Sequence, residues 1–368
     1  MAVDEPPIPE PDAALADESD AAAADADRPR RRMRWWEKVV IAVAPILAIA
    51  ILAATFIGLP YVVFSPGNAD PVQDAVTIEG APSYPLDGSV LFLTVKVTTQ
   101  RPNLWRVLQG WIDDNRRVMS EDEYFGDVSR KETRQIDDLL MVRSQDVAKL
   151  VALERLGYEV PVVAAEIGFV VADGPSAGTL EVGDVIDTIN GQSVTTPAAV
   201  GEAVRANPPG SEIAVGVTRG GETMEQVVTS GDDGEGHALL GISSVPVYAF
   251  PIDITIDTGA VSGPSAGLAF TITILDELTS GELTGGKTVA MTGTINERGE
   301  VGLVGGVRQK AVAARRAGAA LILVPLGEES EAREGAGDVP VVGVATLDDA
   351  LDALYAIGGD VIPEKLAA

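Results

Sequence analysis

From Val39 to Phe64 the chain runs through 26 positions without a charged residue. About 20 apolar residues suffice to cross a bilayer core, so this run predicts a membrane-spanning helix, ended by Pro60, Pro66 and Gly67. The pattern then changes period. "SVLFLTVKVTT" (89–99) alternates apolar and polar positions and predicts a half-buried strand. Asn103–Asn115 predicts a helix, and the polar stretch 116–135 a mobile loop. In "IDDLLMVRSQDVAKLVALERLG" (136–157), Ile136, Leu139, Leu140, Val147, Leu150 and Val151 share one helical face, which Arg143 and Glu154 interrupt; Gly157 is a stop. Residues 158–230 are short β-branched runs and turn signals around one helix. "AGLAFTITILDEL" (266–278) is apolar on nearly every face and predicts a buried helix. "GGVRQKAVAARRAGAALILVP" (305–325) predicts a helix stopped by Gly318, then a buried strand. Helices and strands in this mixture make the class α/β (α+β), with a small β-rich stretch at 158–230 and one transmembrane helix at the start.

Charge orients the apolar run. Arg28, Arg30, Arg31, Arg32, Arg34 and Lys38 precede it, with Trp35 and Trp36 at the interfacial position. Cationic flanks stay cytoplasmic, so the N-terminus is expected in the cytoplasm and everything after Phe64 outside it. A cleaved signal peptide is the rival, but the small-x-small triplet "AIA" (48–50) lies inside the run and not at its end, which favours an uncleaved anchor. Residues 1–27 hold nine acids and no base, too little apolar surface to offset chain entropy, and read as a disordered tail. A net charge of −28 argues against nucleic acid as a partner, because phosphate binding needs a basic surface. With no cysteine, thiolate nucleophiles, disulfides and zinc–thiolate sites are excluded.

Candidate chemistry centres on a pentapeptide that occurs twice, "GPSAG" at 174–178 and at 263–267. The first copy leads into "TLEVGDVI", a turn and a strand, and gives Ser176 no chemical role; Asp173 before it is a decoy. The second leads into the buried helix. Two roles fit Ser265 there: a helix cap, or a nucleophile whose developing oxyanion faces unpaired backbone N–H groups. The lone histidine, His237, sits in the glycine-rich connector "DDGEGHALLGI" and reads as a surface residue. Lys310 is different. Val307, Lys310, Ala311, Ala314 and Gly318 follow helical spacing, so Lys310 shares the apolar face while Arg308, Arg315 and Arg316 can face solvent. Such a lysine either snorkels or has its pKa lowered by burial and serves as a base.

Two resemblances sharpen this. Residues 158–230, through "GFVV", "GDVIDTINGQSV" and "GSEIAVGVTRGG", resemble a bacterial-type PDZ domain. That likeness implies a peptide added as a strand beside Ile167–Val170, with Ile167, Gly168 and Phe169 on one wall and Val200 and Val204 on the other. The basic residue expected near the carboxylate loop is not evident. "GPSAG", "MTG", "GEVGLVGG" and "KAVAARRAG" (263–318), in that order, resemble the proteolytic domain of Lon-type serine peptidases. This implies Ser265 as nucleophile, Lys310 as general base and Thr292 as the hydroxyl that orients the lysine, with Gly263 and Ala266 in support. Ser262 stands where the family has an acid, and Thr294 replaces the glutamate of "MTGEI". "DLLMVRSQDVAKLVA" resembles a helix of the same peptidases, so the peptidase domain is expected to be split by the PDZ unit.

The resulting scheme is a tail at 1–34, a transmembrane helix at 35–64, and the first part of the peptidase at 65–157. The PDZ domain follows at 158–232, the catalytic part at 233–357 and a tail at 358–368. "GELTGGKT" (281–288) fits the phosphate-binding loop pattern, but a helix precedes it and a strand follows, the reverse of what phosphate cradling needs. No nucleotide, metal or other cofactor is expected, and the partners are protein or peptide substrates, captured through their C-termini, and the membrane; self-association stays open. The expected function is an ATP-independent, membrane-anchored serine endopeptidase. The alternative is an inactive, membrane-tethered PDZ scaffold.

Overall fold

The computed structural model describes residues 33–126 and 128–362; the tail expected at 1–34 falls outside them up to Arg32, as do the last six residues. Trp35–Phe56 is one helix, α1, whose most apolar 18 residues have a mean hydropathy of 2.8. At 1.5 Å per residue it measures about 33 Å, enough to cross a hydrocarbon core. It ends before the expected Phe64. Gly58 and Pro60 break it, and Tyr61 opens strand β1 (Tyr61–Pro71), in which Val62 and Val63 are buried. The chain divides between Ile57 and Gly58 into two units, and the rest of the fold belongs to the second.

After β1 come β2 (Val76–Glu79), β3 (Ser89–Val97), α2 (Leu104–Ile112), β4 (Arg117–Ser120), α3 (Glu121–Phe125) and α4 (Arg130–Arg155). The stretch 116–135 is therefore no loop. Ser120 caps α3, and Ser129 with Glu132 forms a reciprocal capping box that starts α4 six residues before the expected Ile136. Next are β5 (Val162–Val170), β6 (Val185–Ile189), β7 (Gln192–Ser193), α5 (Pro197–Arg205) and β8 (Glu212–Arg219). They are followed by β9 (Glu222–Thr229), β10 (Gly231–Asp232), β11 (Ala238–Leu239) and β12 (Ile242–Tyr248). The last part holds β13 (Asp253–Ile256), α6 (Gly267–Glu277), β14 (Thr288–Met291), β15 (Thr294–Ile295) and β16 (Val301–Gly302). Helix α7 (Val307–Arg316), β17 (Leu321–Pro325), α8 (Glu329–Ala336), β18 (Val341–Val344) and α9 (Leu347–Ala356) complete it.

The central sheet runs β18-β17-β14-β3-β1-β4, parallel from β18 to β3 and antiparallel beyond. Because side chains alternate across a strand, Val90, Phe92, Val289, Met291, Leu321 and Leu323 enter one core with α4 and α6. Leu91, Leu93, Ala290, Ile322 and Val324 enter a second, with α7 and α8. The first half of β3 is thus buried on both faces, not half-buried as its alternation predicted, since helices cover both sides of the sheet. All eleven residues of α6 are buried, as its uniform apolarity predicts.

A separate core assembles Ile167, Ile186, Ile189, Val200, Val204, Ile213 and Val215 under a second sheet, β12-β5-β6-β8-β9. Its entry and exit meet where Ala249 N–H donates to the Pro161 carbonyl at 3.0 Å. Strand β12, which follows the expected end of this unit, pairs with β5 from Val162 to Val170. The edge of β5 expected to accept a peptide beside Ile167–Val170 is therefore already filled by the chain itself. Ile167 is buried in the core, and a side chain on Gly168 would meet Val245. The free edge belongs to β12.

Candidate active site

Helices α6 and α7 pack on opposite faces of the central sheet, and their chemistry meets past the end of β14, where the chain continues as Thr292 and Gly293. The loop before α6 is fixed from two sides. Gly263 N–H donates to the Asp137 carbonyl at 3.0 Å, and Ser144 Oγ donates to the Pro264 carbonyl at 3.1 Å, both from α4. Gly263 has a φ of +95°, a conformation that only glycine adopts without strain. On the other side Gly293 N–H donates to the Ser265 carbonyl at 2.9 Å, and Leu268 N–H to the Gly293 carbonyl at 3.1 Å. A side chain on Gly293 would collide with Val301, so the small residue of "MTG" permits this close approach.

Ala266, not Ser265, is the capping residue of α6, and no side chain caps the helix. Ser265 thus does not serve as the cap. Its side chain is half-buried beside the helix start, and among the described residues no acceptor takes the amide N–H of Ser265 or of Ala266.

Lys310 is 3% exposed. Its Nζ donates to Thr292 Oγ1 at 3.0 Å, and Thr292 Oγ1 donates to the Ser265 carbonyl at 3.1 Å. The hydroxyl of Thr292, itself fully buried, links the lysine to the serine's own backbone. Burial lowers the Lys310 pKa to about 8, against the opposing pull of the Glu328 carboxylate. That carboxylate takes the Val304 N–H at 3.4 Å on both oxygens, and burial holds its own pKa above the usual carboxylate range. Next to Pro264, a cavity of about 140 Å³ is lined by Leu140, Arg143, Ser144, Val147 and Thr294–Glu297, with Arg143 and Glu297 paired at 3.6 Å.

Residues 240–351 match the family described as the Lon protease (S16) C-terminal proteolytic domain, and residues 139–229 match the PDZ domain family. The chain carries a Lon-type proteolytic domain and a PDZ domain. Among curated relatives, the Lon protease of Clostridioides difficile is 36% identical over 137 residues, 33% of this chain and 17% of that protein. The Lon protease of Ureaplasma parvum is 39% identical over 93 residues (24% and 12%), and the peroxisomal Lon protease homolog 2 of Mus musculus 39% over 110 (28% and 13%). The chain thus spans less than a fifth of the length of these relatives. Among solved structures, the PDZ domain of the SdrC-like protein Lin2157 from Listeria innocua is 25% identical. That alignment covers 23% of this chain and 93% of the other, with a TM-score of 0.21.

Within the Lon-type domain the structure brings Ser265, Thr292 and Lys310 together, with Gly263 and Ala266 in the loop that presents the serine. It leaves the other candidates out. Ser176 is fully buried, its Oγ donating to the Leu240 carbonyl at 2.6 Å, and His237 lies exposed beside Asp233. The stretch 281–288 connects α6 to β14. Sequence reasoning did not single out Ser144, inside the stretch 138–152 that carries the helix resemblance, or Glu328, which lies in no quoted motif. In the PDZ domain a groove of about 450 Å³ runs between α5 and the start of β12. Phe169, Val200 and Val204 line it, as do the loop Leu239–Gly241 and Arg205. Ile167 and Gly168 do not. Arg205 is thus a basic residue on this groove, beside the "LLGI" stretch that follows Ala238.

Proposed function

We propose that the chain is an ATP-independent serine endopeptidase, anchored in the cell membrane by α1 with its N-terminus cytoplasmic, and that its PDZ domain docks protein substrates. The observation that carries the catalytic reading is a lysine only 3% exposed whose Nζ is held by Thr292, itself hydrogen-bonded to the Ser265 carbonyl. In this reading neutral Lys310 takes the Ser265 hydroxyl proton as Oγ attacks the scissile carbonyl. The oxyanion lies against the unpaired amides of Ser265 and Ala266. Lys310 then gives the proton to the departing amine, leaving an acyl-serine, and deprotonates the water that releases it. The cavity beside Pro264 suits a substrate side chain.

Membrane anchoring rests on the length and apolarity of α1 and the cationic residues before it. Nucleotide independence rests on the helix-to-strand setting of 281–288. In the PDZ domain, the edge of β12 offers strand addition, and the Leu239–Gly241 loop with Arg205 suits a C-terminal carboxylate. A fluorophosphonate probe tests the catalytic reading: it should label the wild-type chain at Ser265 without added nucleotide, and not Ser265→Ala. Absence of wild-type labelling would favour an inactive scaffold.

A further inference from the structure

Helix α2 (Leu104–Ile112) presents an apolar face that its own unit leaves largely uncovered. Trp105 is 43% exposed, Trp111 60% and Ile112 81%, and with half-buried Leu104 and Leu108 they fill an arc of about 120° at 100° per residue. The opposite side, Val107 and Gly110, packs onto the protein, and Arg106 and Gln109 fill the remaining sector. A helix divided among protein, water and an uncovered aromatic–aliphatic arc has the composition of a segment lying in a bilayer interface. Isolated exposed apolar residues are ordinary, but a contiguous arc with two tryptophans marks an interaction surface.

The chain's connectivity names the partner. Gly58 bridges to Asn103, the residue that caps α2, Leu59 N–H donates to the Pro102 carbonyl at 2.9 Å, and the Tyr61 ring stacks edge-on against Trp111 at 5.9 Å. Residues 58–61 thus run along α2 from its start to its far end. Only Ile57 separates Gly58 from Phe56, the last residue of α1, a reach of at most about 7 Å. If α1 spans the membrane, its outer end lies at the edge of the hydrocarbon core, and the interfacial layer beyond is only about 6 Å deep. Because Gly58 bridges to Asn103, the start of α2 follows within a short covalent reach of that layer, where tryptophan side chains are favoured.

We infer that α2 is an interfacial helix that seats Trp105, Trp111 and Ile112 in the outer leaflet, so that the catalytic unit is held against the lipid surface at a fixed height instead of swinging on a tether. The inference rests on the anchoring proposed above. The protein lacks cysteine, so Ile112→Cys in the full chain gives one labelling site. With an environment-sensitive fluorophore there, in phosphatidylcholine–phosphatidylglycerol vesicles, shallow spin-labelled lipids should reduce emission roughly twofold or more, and aqueous iodide should quench poorly. Flotation of the same sample reads anchoring separately. Protein that floats while its label is quenched by iodide and spared by spin-labelled lipid overturns the interfacial helix and leaves the anchor standing. Protein that does not float overturns the anchor and the inference with it. Disulfide-linked dimers formed efficiently through unlabelled Ile112→Cys would assign the face to a second copy and also overturn it.

Discussion

Lys310 gives the catalytic proposal a number. With a pKa of about 8, its amine is neutral in about one molecule in eleven at pH 7 and about ten in eleven at pH 9. An ordinary lysine near 10.4 would be neutral in roughly one in 2500 at pH 7 and still scarce at pH 9. Peptide cleavage limited by this base should rise about tenfold from pH 7 to pH 9 and then level off. Lys310→Arg keeps the charge but removes the base, since a guanidinium does not deprotonate in proteins; the rate should fall by about 10²–10⁴ and lose its alkaline rise. The assay is initial-rate kinetics on a fluorogenic peptide, normalised by burst titration of active sites. A flat wild-type profile between pH 7 and pH 9, or an arginine variant with near wild-type kcat/KM, would refute the dyad.

Other consequences are open to measurement. Ser265→Ala should abolish cleavage, whereas Ser176→Ala should cost about 1 kcal/mol of stability through its lost hydrogen bond and leave peptide turnover intact; urea titration and kinetics separate the two. Because the native Lys310 pKa lies below its unfolded value of 10.5, wild-type stability should be lowest below pH 8 and rise between about pH 8 and 10.5, where only the unfolded chain keeps the proton. Lys310→Met should lack that rise and gain up to about 3 kcal/mol at pH 7 in denaturant midpoints; an unchanged pH dependence would contradict the burial argument. The Glu328 charge holds the Lys310 pKa up, so Glu328→Gln should move the acidic limb of the rate profile to lower pH, and an unmoved limb would show that the two groups do not communicate. In the PDZ groove, Arg205→Glu should weaken peptides with a free C-terminus roughly three- to tenfold without affecting amidated ones in fluorescence polarisation; equal effects on both would remove the carboxylate role. Excising 162–248 across the Pro161–Ala249 contact should slow cleavage of a protein substrate and spare a short peptide, whereas faster peptide cleavage would indicate gating.

Much of the catalytic part was legible in the chain because its signals are local. A run apolar on every face but too short to cross a bilayer reads as a buried helix, so α6 was legible, and a lysine at i+3 from Val307 shares its buried side, so Lys310 was too. The order of "GPSAG", "MTG" and "KAVAARRAG" pointed to Ser265, Thr292 and Lys310, which the fold links by hydrogen bonds. Local signals could not decide whether Ser265 caps its helix, because capping depends on where the first helical turn begins, one residue later than the motif suggests. Nor could they give Ser144, which meets a loop 120 residues away, or Glu328, which the packing of α8 against α7 brings to Val304 and Lys310. The alternation in β3 carried no record of a helix on its second face. The PDZ edge failed for the same reason. Strand β5 has the sequence of a peptide-accepting strand, but an edge is a property of the sheet, and only the folded chain shows that β12 has taken it. The sequence determines what each segment can bury; which surfaces stay open is settled by how the segments close on one another, since burial is shared between partners distant in the chain.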